Sequence, residues 1–377
     1  MTPSLMIANR QTWFGAGSIS QLIPLLEADP RPTLLFSCRS FLGGPIYAAL
    51  ASRLAPLLAG IEIVAHEASP QDIDQWVARW RGKTRRVVAI GGGSVLDAAK
   101  AFAALVEHPL PTLRYMEKVG DSRLSGATLA LIAIPTTAGT GSEATQNAVI
   151  TDSQINKVKA SLRHNNLVPQ IAILDPRLLA GAPDPVLACC AIDAFTHLFE
   201  SYLSKTASGL SREMSLTGMR LFLQAWPALN GGEDAREAIM QASYLGGLTL
   251  SMAGLGVIHG IAGEVGALRD YHHGQVCGRL LLPFLELLAN SDQPEQRARM
   301  AALAVRLFPE SQDSPEQYLS AYITRNAIAP FWRDDLTLSG AELAVCLEKS
   351  NSKNSLLDYA PAQRRAMIGA AFRIECQ

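Results

Sequence analysis

Three glycines and a serine join an apolar run to an alanine-rich run in the stretch Val87-Val88-Ala89-Ile90-Gly91-Gly92-Gly93-Ser94-Val95-Leu96-Asp97-Ala98-Ala99-Lys100. The apolar run predicts a buried strand, and the alanine-rich run predicts a helix. Glycines at such a junction let the backbone approach a ligand closely, and the N–H groups that open the helix favour a phosphate. A tight strand-to-helix turn would use the same glycines, and the run is not a GxGxxG, so it does not establish a nucleotide site alone.

A second loop of small and hydroxyl-bearing residues follows another apolar run, in Ile134-Pro135-Thr136-Thr137-Ala138-Gly139-Thr140-Gly141-Ser142-Glu143. Open parallel sheets bind ligands at the carboxyl ends of their strands, where two such loops on neighbouring strands would meet. Hydroxyl groups there can bond to phosphate, ribose or a nicotinamide carboxamide. The two loops together favour a nucleotide site.

Short apolar runs alternate with helix-forming stretches through the first half of the chain. The runs cover residues 33–37, 61–64, 87–90 and 129–134, and residues 71–81 are an example of the helical stretches. This alternation is typical of a parallel sheet flanked by helices. We therefore predict an α/β domain with a Rossmann-like parallel sheet.

The second half of the chain has a different pattern. Residues 184–377 contain almost no β-branched runs and are dominated by stretches rich in Ala, Leu, Glu and Arg, such as 295–308 and 362–374. Glycine and proline punctuate the chain where the pattern changes, at Gly181, Pro183 and Pro185. We predict a dinucleotide-binding domain of residues 1–180 and an all-α domain of residues 181–377.

Composition excludes several classes of protein. The chain has 377 residues, of which 48% are hydrophobic, so it is long and apolar enough to fold rather than remain disordered. Lys and Arg number 33 against 34 Asp and Glu, and the net charge of −1 provides no basic field for nucleic acid. Six cysteines without a CxxC spacing are expected to be reduced, structural thiols.

Two segments bear on the location of the protein. The first residues lack the continuous apolar stretch of a secretory signal, so we expect a cytoplasmic protein. Residues 244–263 carry no Asp, Glu, Lys or Arg and match the length of a membrane span. They also contain several glycines, with Thr249, Ser251 and His259, and a buried pair of helices is the better interpretation. No membrane partner is expected.

Asp193 and His197 are spaced for metal binding. Four residues apart in Ala191-Ile192-Asp193-Ala194-Phe195-Thr196-His197-Leu198-Phe199-Glu200, they lie on one face of a predicted helix and could share a cation. Such a pair is more often a satisfied hydrogen-bonded pair than a metal site. The spacing alone is a weak indication.

Two further histidines strengthen the metal hypothesis. His259 lies in an uncharged, apolar run, where a buried imidazole needs a partner, and His273 follows it in the same predicted domain. The chain has only seven histidines. One carboxylate and three imidazoles suit Fe²⁺ or Zn²⁺ and leave a position for a substrate oxygen.

With these residues in this order, the sequence resembles the iron-containing (group III) alcohol dehydrogenases, which are related to glycerol dehydrogenase and more distantly to dehydroquinate synthase. The resemblance covers nearly the whole chain. It rests on Phe14-Gly15-Ala16-Gly17, the GGGS-x-x-D-x-x-K run at 91–100, the PTTAGTGSE run at 135–143, Leu174-Asp175-Pro176, Asp193-Ala194-x-x-His197-x-x-Glu200, and the histidines 14 residues apart at 259 and 273.

The resemblance implies a dehydroquinate synthase-like fold, with substrate reacting in a cleft between an α/β domain and a helical domain. The implied metal ligands are Asp193, His197, His259 and His273. The implied cofactor residues are Gly92, Gly93, Ser94 and Asp97 at the pyrophosphate turn, with Thr136, Thr137 and Lys159, and the implied substrate residues are Asn147 and Leu255. The implied reaction is hydride transfer between a nicotinamide and a carbonyl polarised by Fe²⁺ or Zn²⁺. It interconverts a small alcohol and its aldehyde. Homodimers or larger homo-oligomers are expected.

Two departures from the family pattern affect the predicted chemistry. Gly263 stands where many members carry a proton-relaying histidine, so His272, a water or the ribose hydroxyl would have to relay the proton instead. The simpler interpretation of His272 is that it is an exposed neighbour of a metal ligand without a role in the reaction. Cys38 stands where relatives that use NAD place an aspartate. Without that aspartate, a 2′-phosphate on the cofactor would not be repelled, and Ser37 or Ser40 with Arg39 could bind it. The sequence therefore favours NADP(H) over NAD(H).

Basic residues near the predicted site suggest an anionic aldehyde as one possible substrate class. They are Arg163 and His164, which follow Lys159, and Arg269. Two rival functions also stay open: a dehydroquinate-synthase-like lyase, and a non-catalytic descendant that binds nucleotide or metal. The four metal ligands argue against the lyase and against a metal-independent reductase.

Overall fold

The chain divides into two compact units. The computed structural model describes residues 4–153, 155–229, 231–326, 336–352 and 354–375. One unit comprises Ile7–Pro183, and the other comprises residues 4–6 together with the described residues from Asp184 onward. The division falls among the glycines and prolines where the sequence pattern changes.

A six-stranded parallel sheet forms the centre of the first unit. In spatial order its strands are β1 (Gln11–Phe14), β8 (Ile171–Leu174), β5 (Ala130–Pro135), β4 (Arg86–Gly91), β2 (Thr33–Ser37) and β3 (Leu58–Ile63). The four apolar runs form β2 to β5, so the predicted parallel sheet is confirmed. Every residue of β2 and β4 is buried, because helices cover both faces of the central strands.

Helices connect these strands. They are α1 (Leu22–Ala28), α2 (Arg39–Leu42), α3 (Pro45–Leu54), α4 (Pro70–Trp80) and α5 (Gly93–Leu105). At the start of α4, Ser69 and Asp72 form a capping box. An antiparallel hairpin of β6 (Asn147–Asp152) and β7 (Val158–Arg163) packs against α5.

The second unit is mainly helical, as expected. Its helices are α6 (Asp184–Leu203), α7 (Gly209–Ala225), α8 (Glu233–Ala253), α9 (Val257–Leu268), α10 (His273–Ala289), α11 (Pro294–Leu307), α12 (Pro315–Asn326), α13 (Gly340–Lys349) and α14 (Pro361–Ala371). Within the described residues α6 is long and apolar enough to cross a membrane, but 94% of its apolar window is buried inside the protein, as in a core helix. The uncharged segment 244–263 is the predicted helix pair, α8 and α9, bent by 101° at the break.

A small two-stranded sheet was not expected in this unit. Strands β9 (Thr337–Ser339) and β10 (Arg373–Glu375) pair in parallel. The helix predicted within 362–374 therefore ends at Ala371, because Phe372 is extended and the next residues bond to β9. A strand pair so far apart in sequence leaves no periodic signal in either segment alone.

Candidate metal centre and nucleotide-binding loops

The carboxylate of Asp193 faces three imidazoles in the interior of the helical unit. Its Oδ1 lies 3.5 Å from Nε2 of His259, 3.8 Å from Nε2 of His273 and 4.0 Å from Nε2 of His197. Asp193 is 2% exposed, and its Oδ1 accepts no hydrogen bond from the described residues. The structure thus brings together the four residues that the sequence predicted as metal ligands, although their coordination of a metal stays a prediction.

The N-terminus of α9 positions His259. Glu200 lies on α6, and its Oε1 accepts a hydrogen bond from the N–H of Ile258 at 2.7 Å. Its Oε2 is 2.7 Å from Nδ1 of His259, whose backbone N–H also donates to it at 3.3 Å. A carboxylate at a helix N-terminus is favoured by the helix dipole. An ionised Glu200 can only accept, so Nδ1 of His259 carries a proton, and in the neutral imidazole the lone pair of Nε2 faces Asp193.

Gly256 makes room for Glu200. A Cβ at this position would lie 2.7 Å from Oε1 of Glu200 and 2.8 Å from Oγ of Ser355. The glycine immediately before α9 therefore permits the close approach of the carboxylate.

Helix α10 contributes His273 and Cys277, which are one turn apart on the same face. The Sγ of Cys277 lies 3.6 Å from Nε2 of His259 and 3.6 Å from Nε2 of His273. The thiol is fully buried. Sequence reasoning missed this residue because it treated the cysteines as structural, although His273-x-x-x-Cys277 repeats the spacing of Asp193-x-x-x-His197.

The charges of the cluster shift its titration strongly. Burial acts to raise the pKa of Asp193, but the imidazoles of His197 and His273 outweigh it and hold that pKa far below its usual range. Burial acts to lower the pKa of His259, but the Cys277 sulfur and the carboxylates hold it well above its usual value. Burial raises the pKa of the Cys277 thiol to about 11. The cluster therefore favours positive charge at its centre.

These donors fit a divalent cation. A carboxylate oxygen, imidazole nitrogens and a sulfur converge in a buried space, and the donor atoms of Asp193, His259, His273 and Cys277 all lie within 4.8 Å of one another. An anionic oxygen that faces imidazole lone pairs is unfavourable unless a proton or a cation lies between them. This mixture of ligands is typical of Fe²⁺ or Zn²⁺ sites.

In the α/β unit, the two glycine-containing loops lie against each other. A Cβ on Gly92 would lie 3.1 Å from Oγ1 of Thr137, and one on Gly93 would lie 2.6 Å from the Thr140 side chain. The N–H of Thr136 donates to the carbonyl of Gly91 at 2.9 Å. The loops that follow β4 and β5 thus meet at the carboxyl edge of the sheet, as the sequence predicted.

Lys100 ties the same two loops together from inside. Its Nζ donates to the carbonyl of Ser142 at 2.9 Å and to Oγ1 of Thr145 at 2.8 Å. Asp97 accepts from the Ser142 hydroxyl and, at 3.0 Å, from the N–H of Val149. Burial lowers the pKa of Lys100 to about 8 and raises the pKa of the neighbouring Glu143 to about 7. Through its bonds to Ser142 and Val149, Asp97 braces the glycine turn at the start of α5. Ser94 is half-buried in the first turn of the same helix.

The other predicted cofactor residues have different surroundings. Nζ of Lys159 pairs with Glu67 at 2.5 Å. Arg39 is exposed at the start of α2. Ser37 is fully buried, and its hydroxyl donates to the carbonyl of Ile90 at 2.8 Å, an arrangement that does not favour a role in phosphate binding.

One predicted substrate residue lies in each unit, and the predicted relay residue lies in the helical unit. Asn147 begins β6, and its Nδ2 donates to Oγ of Ser161 at 3.2 Å. Leu255 is half-buried in the break between α8 and α9. His272 is exposed and occupies the N-cap position of α10 without a capping hydrogen bond from its side chain.

The basic residues considered for an anionic substrate are engaged elsewhere. Arg269 holds Glu342 with two hydrogen bonds, at 2.7 and 2.8 Å. Arg163 donates to Glu117 at 2.9 Å, and Nδ1 of His164 accepts from the N–H of Asn166. These contacts do not favour recognition of an anionic aldehyde by the three residues.

Two family models match the chain in sequence. Residues 9–176 match the iron-containing alcohol dehydrogenase model, and residues 187–334 match the C-terminal model of the Fe-containing alcohol dehydrogenase family. The buried carboxylate and imidazole cluster agrees with the metal in the family name. The chain belongs to the iron-containing alcohol dehydrogenase family.

Individual relatives agree with this assignment. The chain is 42% identical over 198 residues to the probable alcohol dehydrogenase EutG of Salmonella typhimurium, covering 52% of this chain and 49% of that one. It is 36% identical over 238 residues to alcohol dehydrogenase 4 of Saccharomyces cerevisiae, covering 62% and 60%. The matches thus span about half to three fifths of these relatives. A sulfoacetaldehyde reductase from Bifidobacterium kashiwanohense, solved in complex with NAD⁺, has the same fold, with a TM-score of 0.85 at 20% identity over 99% of this chain and 100% of that one.

Proposed function

We propose that the protein is a metal-dependent, NAD(P)-linked alcohol dehydrogenase that also runs as an aldehyde reductase. The observation that carries the proposal is the buried Oδ1 of Asp193, which faces three imidazoles and accepts no hydrogen bond from the described residues. Family membership supplies the reaction class. In the reductive direction an aldehyde, NAD(P)H and a proton yield an alcohol and NAD(P)⁺.

In this proposal the helical unit holds the metal. Asp193, His197, His259 and His273 are the proposed ligands of Fe²⁺ or Zn²⁺. When bound, such an ion supplies Lewis acidity that draws electron density from a carbonyl oxygen. Glu200 holds the Nδ1 proton of His259 and so keeps the lone pair of Nε2 directed at the ligand cluster.

The α/β unit is the proposed nucleotide-binding unit. Gly92 and Gly93 open α5 without side chains, so the backbone can approach a pyrophosphate and the helix N–H groups can bond to it. Ser94, Thr136 and Thr137 are proposed to add hydroxyl groups to the same edge, and Lys159 a positive charge. The Lys100 network holds the two loops in register, which preserves the site before cofactor arrives.

The reductive direction needs a proton for the product oxygen. His272 is our candidate for exchanging that proton with solvent, since it is exposed and adjacent to His273. Asn147 and Leu255 are proposed to contact the substrate. In the family pattern a histidine would occupy position 263, which is glycine in this chain.

We favour NADP(H) over NAD(H) as the cofactor. Cys38 follows β2, where an aspartate would repel a 2′-phosphate, and the exposed Arg39 is available beside it. The proposal predicts a higher kcat/KM for NADPH than for NADH. The preference should shrink in Arg39→Ala and reverse in Cys38→Asp; equal ratios in all three proteins would contradict it.

The physiological setting is also a proposal. We expect a small-molecule alcohol or aldehyde as substrate, a cytoplasmic location and a homodimer or larger homo-oligomer, without nucleic-acid or membrane partners. Trp13 and Phe14 support self-association, since they lie on the edge strand β1 with exposures of 39% and 50%. Light scattering would measure the mass of the assembly, and Trp13→Ser should lower it if the edge is the interface.

An anaerobic reductase assay tests the function. Metal-stripped protein is supplied with Fe²⁺ or Zn²⁺, and oxidation of NADPH and NADH is followed across neutral and anionic aldehydes. Turnover should require metal and disappear in His259→Ala, while His66→Ala, a variant of an exposed histidine in the other unit, should retain it. Binding of metal and nucleotide without turnover of any aldehyde would contradict the proposal and favour a lyase or a non-catalytic protein.

A further inference from the structure

A cysteine lies within the proposed metal centre. Cys277 is fully buried, and its Sγ lies 3.6 Å from the Nε2 atoms of both His259 and His273. The same two nitrogens face Oδ1 of Asp193 at 3.5 and 3.8 Å. The four side chains therefore surround a common point.

The separations match a tetrahedral site that includes sulfur. With Zn–S near 2.3 Å and Zn–N near 2.0–2.1 Å, a tetrahedral angle places sulfur and nitrogen about 3.6 Å apart. Both observed distances between Cys277 and the imidazoles equal that value. The same reasoning predicts about 3.3 Å between carboxylate oxygen and nitrogen, slightly less than the separations at Asp193. Small side-chain movements would complete the set.

The cysteine and His197 define two alternative donor sets. Asp193, His259 and His273 are common to both. Adding His197, whose Nε2 is 4.0 Å from Oδ1 of Asp193, gives only oxygen and nitrogen donors. Adding Cys277 gives a set whose donor atoms all lie within 4.8 Å of one another and include a soft sulfur.

We propose that the Cys277 thiolate is a metal ligand and gives the centre a preference for Zn²⁺ over Fe²⁺. The inference rests on the proposed metal centre and specifies its ligand set. Thiolate ligands select thiophilic ions such as Zn²⁺ over harder ones. Binding replaces the thiol proton by the metal, and the proton passes to solvent. Asp193 supplies the independent support, because its buried Oδ1 accepts no hydrogen bond from the described residues and points at this cluster.

Co²⁺ provides an optical test on the full-length protein. Cobalt occupies zinc sites, and a thiolate bound to it gives a charge-transfer band in the near ultraviolet, apart from the visible ligand-field bands. The wild type should show both kinds of band. Cys277→Ser and Cys277→Ala should lose the charge-transfer band and keep ligand-field bands, whereas Cys346→Ala, which removes another buried thiol of the same unit, should keep both.

Metal competition tests the preference without an activity assay. Zn²⁺ affinity, measured against a chromophoric chelator, should fall at least about tenfold in Cys277→Ala, while Fe²⁺ affinity measured anaerobically should change less than about threefold. His197→Ala should show the opposite order, with the larger loss for Fe²⁺.

Each failure has a distinct meaning. Cobalt ligand-field bands without a charge-transfer band in the wild type would overturn ligation by Cys277 and leave the metal centre intact. Equal losses of Zn²⁺ and Fe²⁺ affinity in Cys277→Ala would overturn the zinc preference. Failure of Co²⁺, Zn²⁺ and Fe²⁺ to bind at all would overturn the proposed metal centre together with this inference.

Discussion

Oε2 of Glu200 lies 2.7 Å from Nδ1 of His259, although the two residues are 59 positions apart in the sequence. The contact joins α6 to the first turn of α9, and the other carboxylate oxygen accepts the N–H of Ile258. One buried carboxylate thus stabilises the start of a helix and orients an imidazole.

Glu200→Gln should weaken metal binding by about 10- to 100-fold, because an amide has only one acceptor oxygen. One of the N–H groups of Ile258 and His259 would then face the amide nitrogen. Isothermal titration with Zn²⁺ measures the change. The matched control is Glu213→Gln, which changes an exposed glutamate of α7 that pairs with Arg306. The Zn²⁺ affinity of this variant should stay within about twofold of the wild type. Similar affinities of the two variants would show that Glu200 does not orient the ligand.

Lys100→Met should destabilise the α/β unit by about 3 kcal/mol, because it removes a fully buried cation and leaves the partly buried carboxylate of Asp97 without its charge partner. The carbonyl of Ser142 would also lose a donor. Hydrogen exchange of peptides from α5 and β5 measures the effect within this unit. Lys83→Met, at an exposed position of the same unit, should change stability by less than about 0.5 kcal/mol. Equal protection in the two variants would remove the bracing role of Lys100.

Glu143 should make the stability of the α/β unit depend on pH. Burial raises its pKa to about 7, whereas an unfolded glutamate titrates near 4.5, so the folded state holds the proton between these values. Burial of Glu143 therefore costs no free energy of folding below pH 4.5. The cost grows to about 3 kcal/mol as the pH rises through 7, so the folded state becomes less stable. Denaturant unfolding between pH 4 and 8 should therefore show a fall in stability that Glu143→Gln abolishes. An unchanged slope in that variant, with Glu107→Gln as the exposed control, would contradict the prediction.

The sheet was predictable where burial is complete. Strands β2, β4 and β5 are nearly continuous apolar runs because helices cover both of their faces. Strand β1, Gln11–Phe14, was not predicted, since it is a short edge strand with little of its surface buried. The hairpin of β6 and β7 was also missed. Its alternating half-buried and buried residues are a weak signal over six positions.

The metal cluster was predictable only in part. Asp193 and His197 share one turn of α6, so their spacing alone indicates a common face. The approach of Glu200 to His259 depends on how α6 packs against the start of α9, which no local pattern encodes. Cys277 had a usable signal, its spacing from His273, but a single thiol in an apolar run is more often a packing residue. Tertiary packing separates these two interpretations.

Two glycines of α9 should respond in opposite ways to alanine. At Gly263 a Cβ would meet no described atom within 4 Å, so Gly263→Ala should stabilise the helix by about 0.5–1 kcal/mol through its better helix propensity. At Gly260 a Cβ would overlap the backbone carbonyl of Asn351, which cannot rotate away as a side chain would. Gly260→Ala should therefore cost about 1–3 kcal/mol and, because residue 260 adjoins His259, also weaken metal binding.

Thermal unfolding of the two variants tests this contrast, since about 1 kcal/mol shifts the Tm of a unit of this size by about 2–4 °C. The Tm should rise in Gly263→Ala and fall in Gly260→Ala, and Zn²⁺ titration should show a loss of affinity only in the latter. Position 263 bears on the proposed proton transfer, because the resemblance implies a histidine there in many family members. If Gly263→Ala is stabilising, a side chain fits there, and its absence in this protein is then not a requirement of packing. A fall in Tm in both variants would instead show that α9 tolerates no side chain on this face.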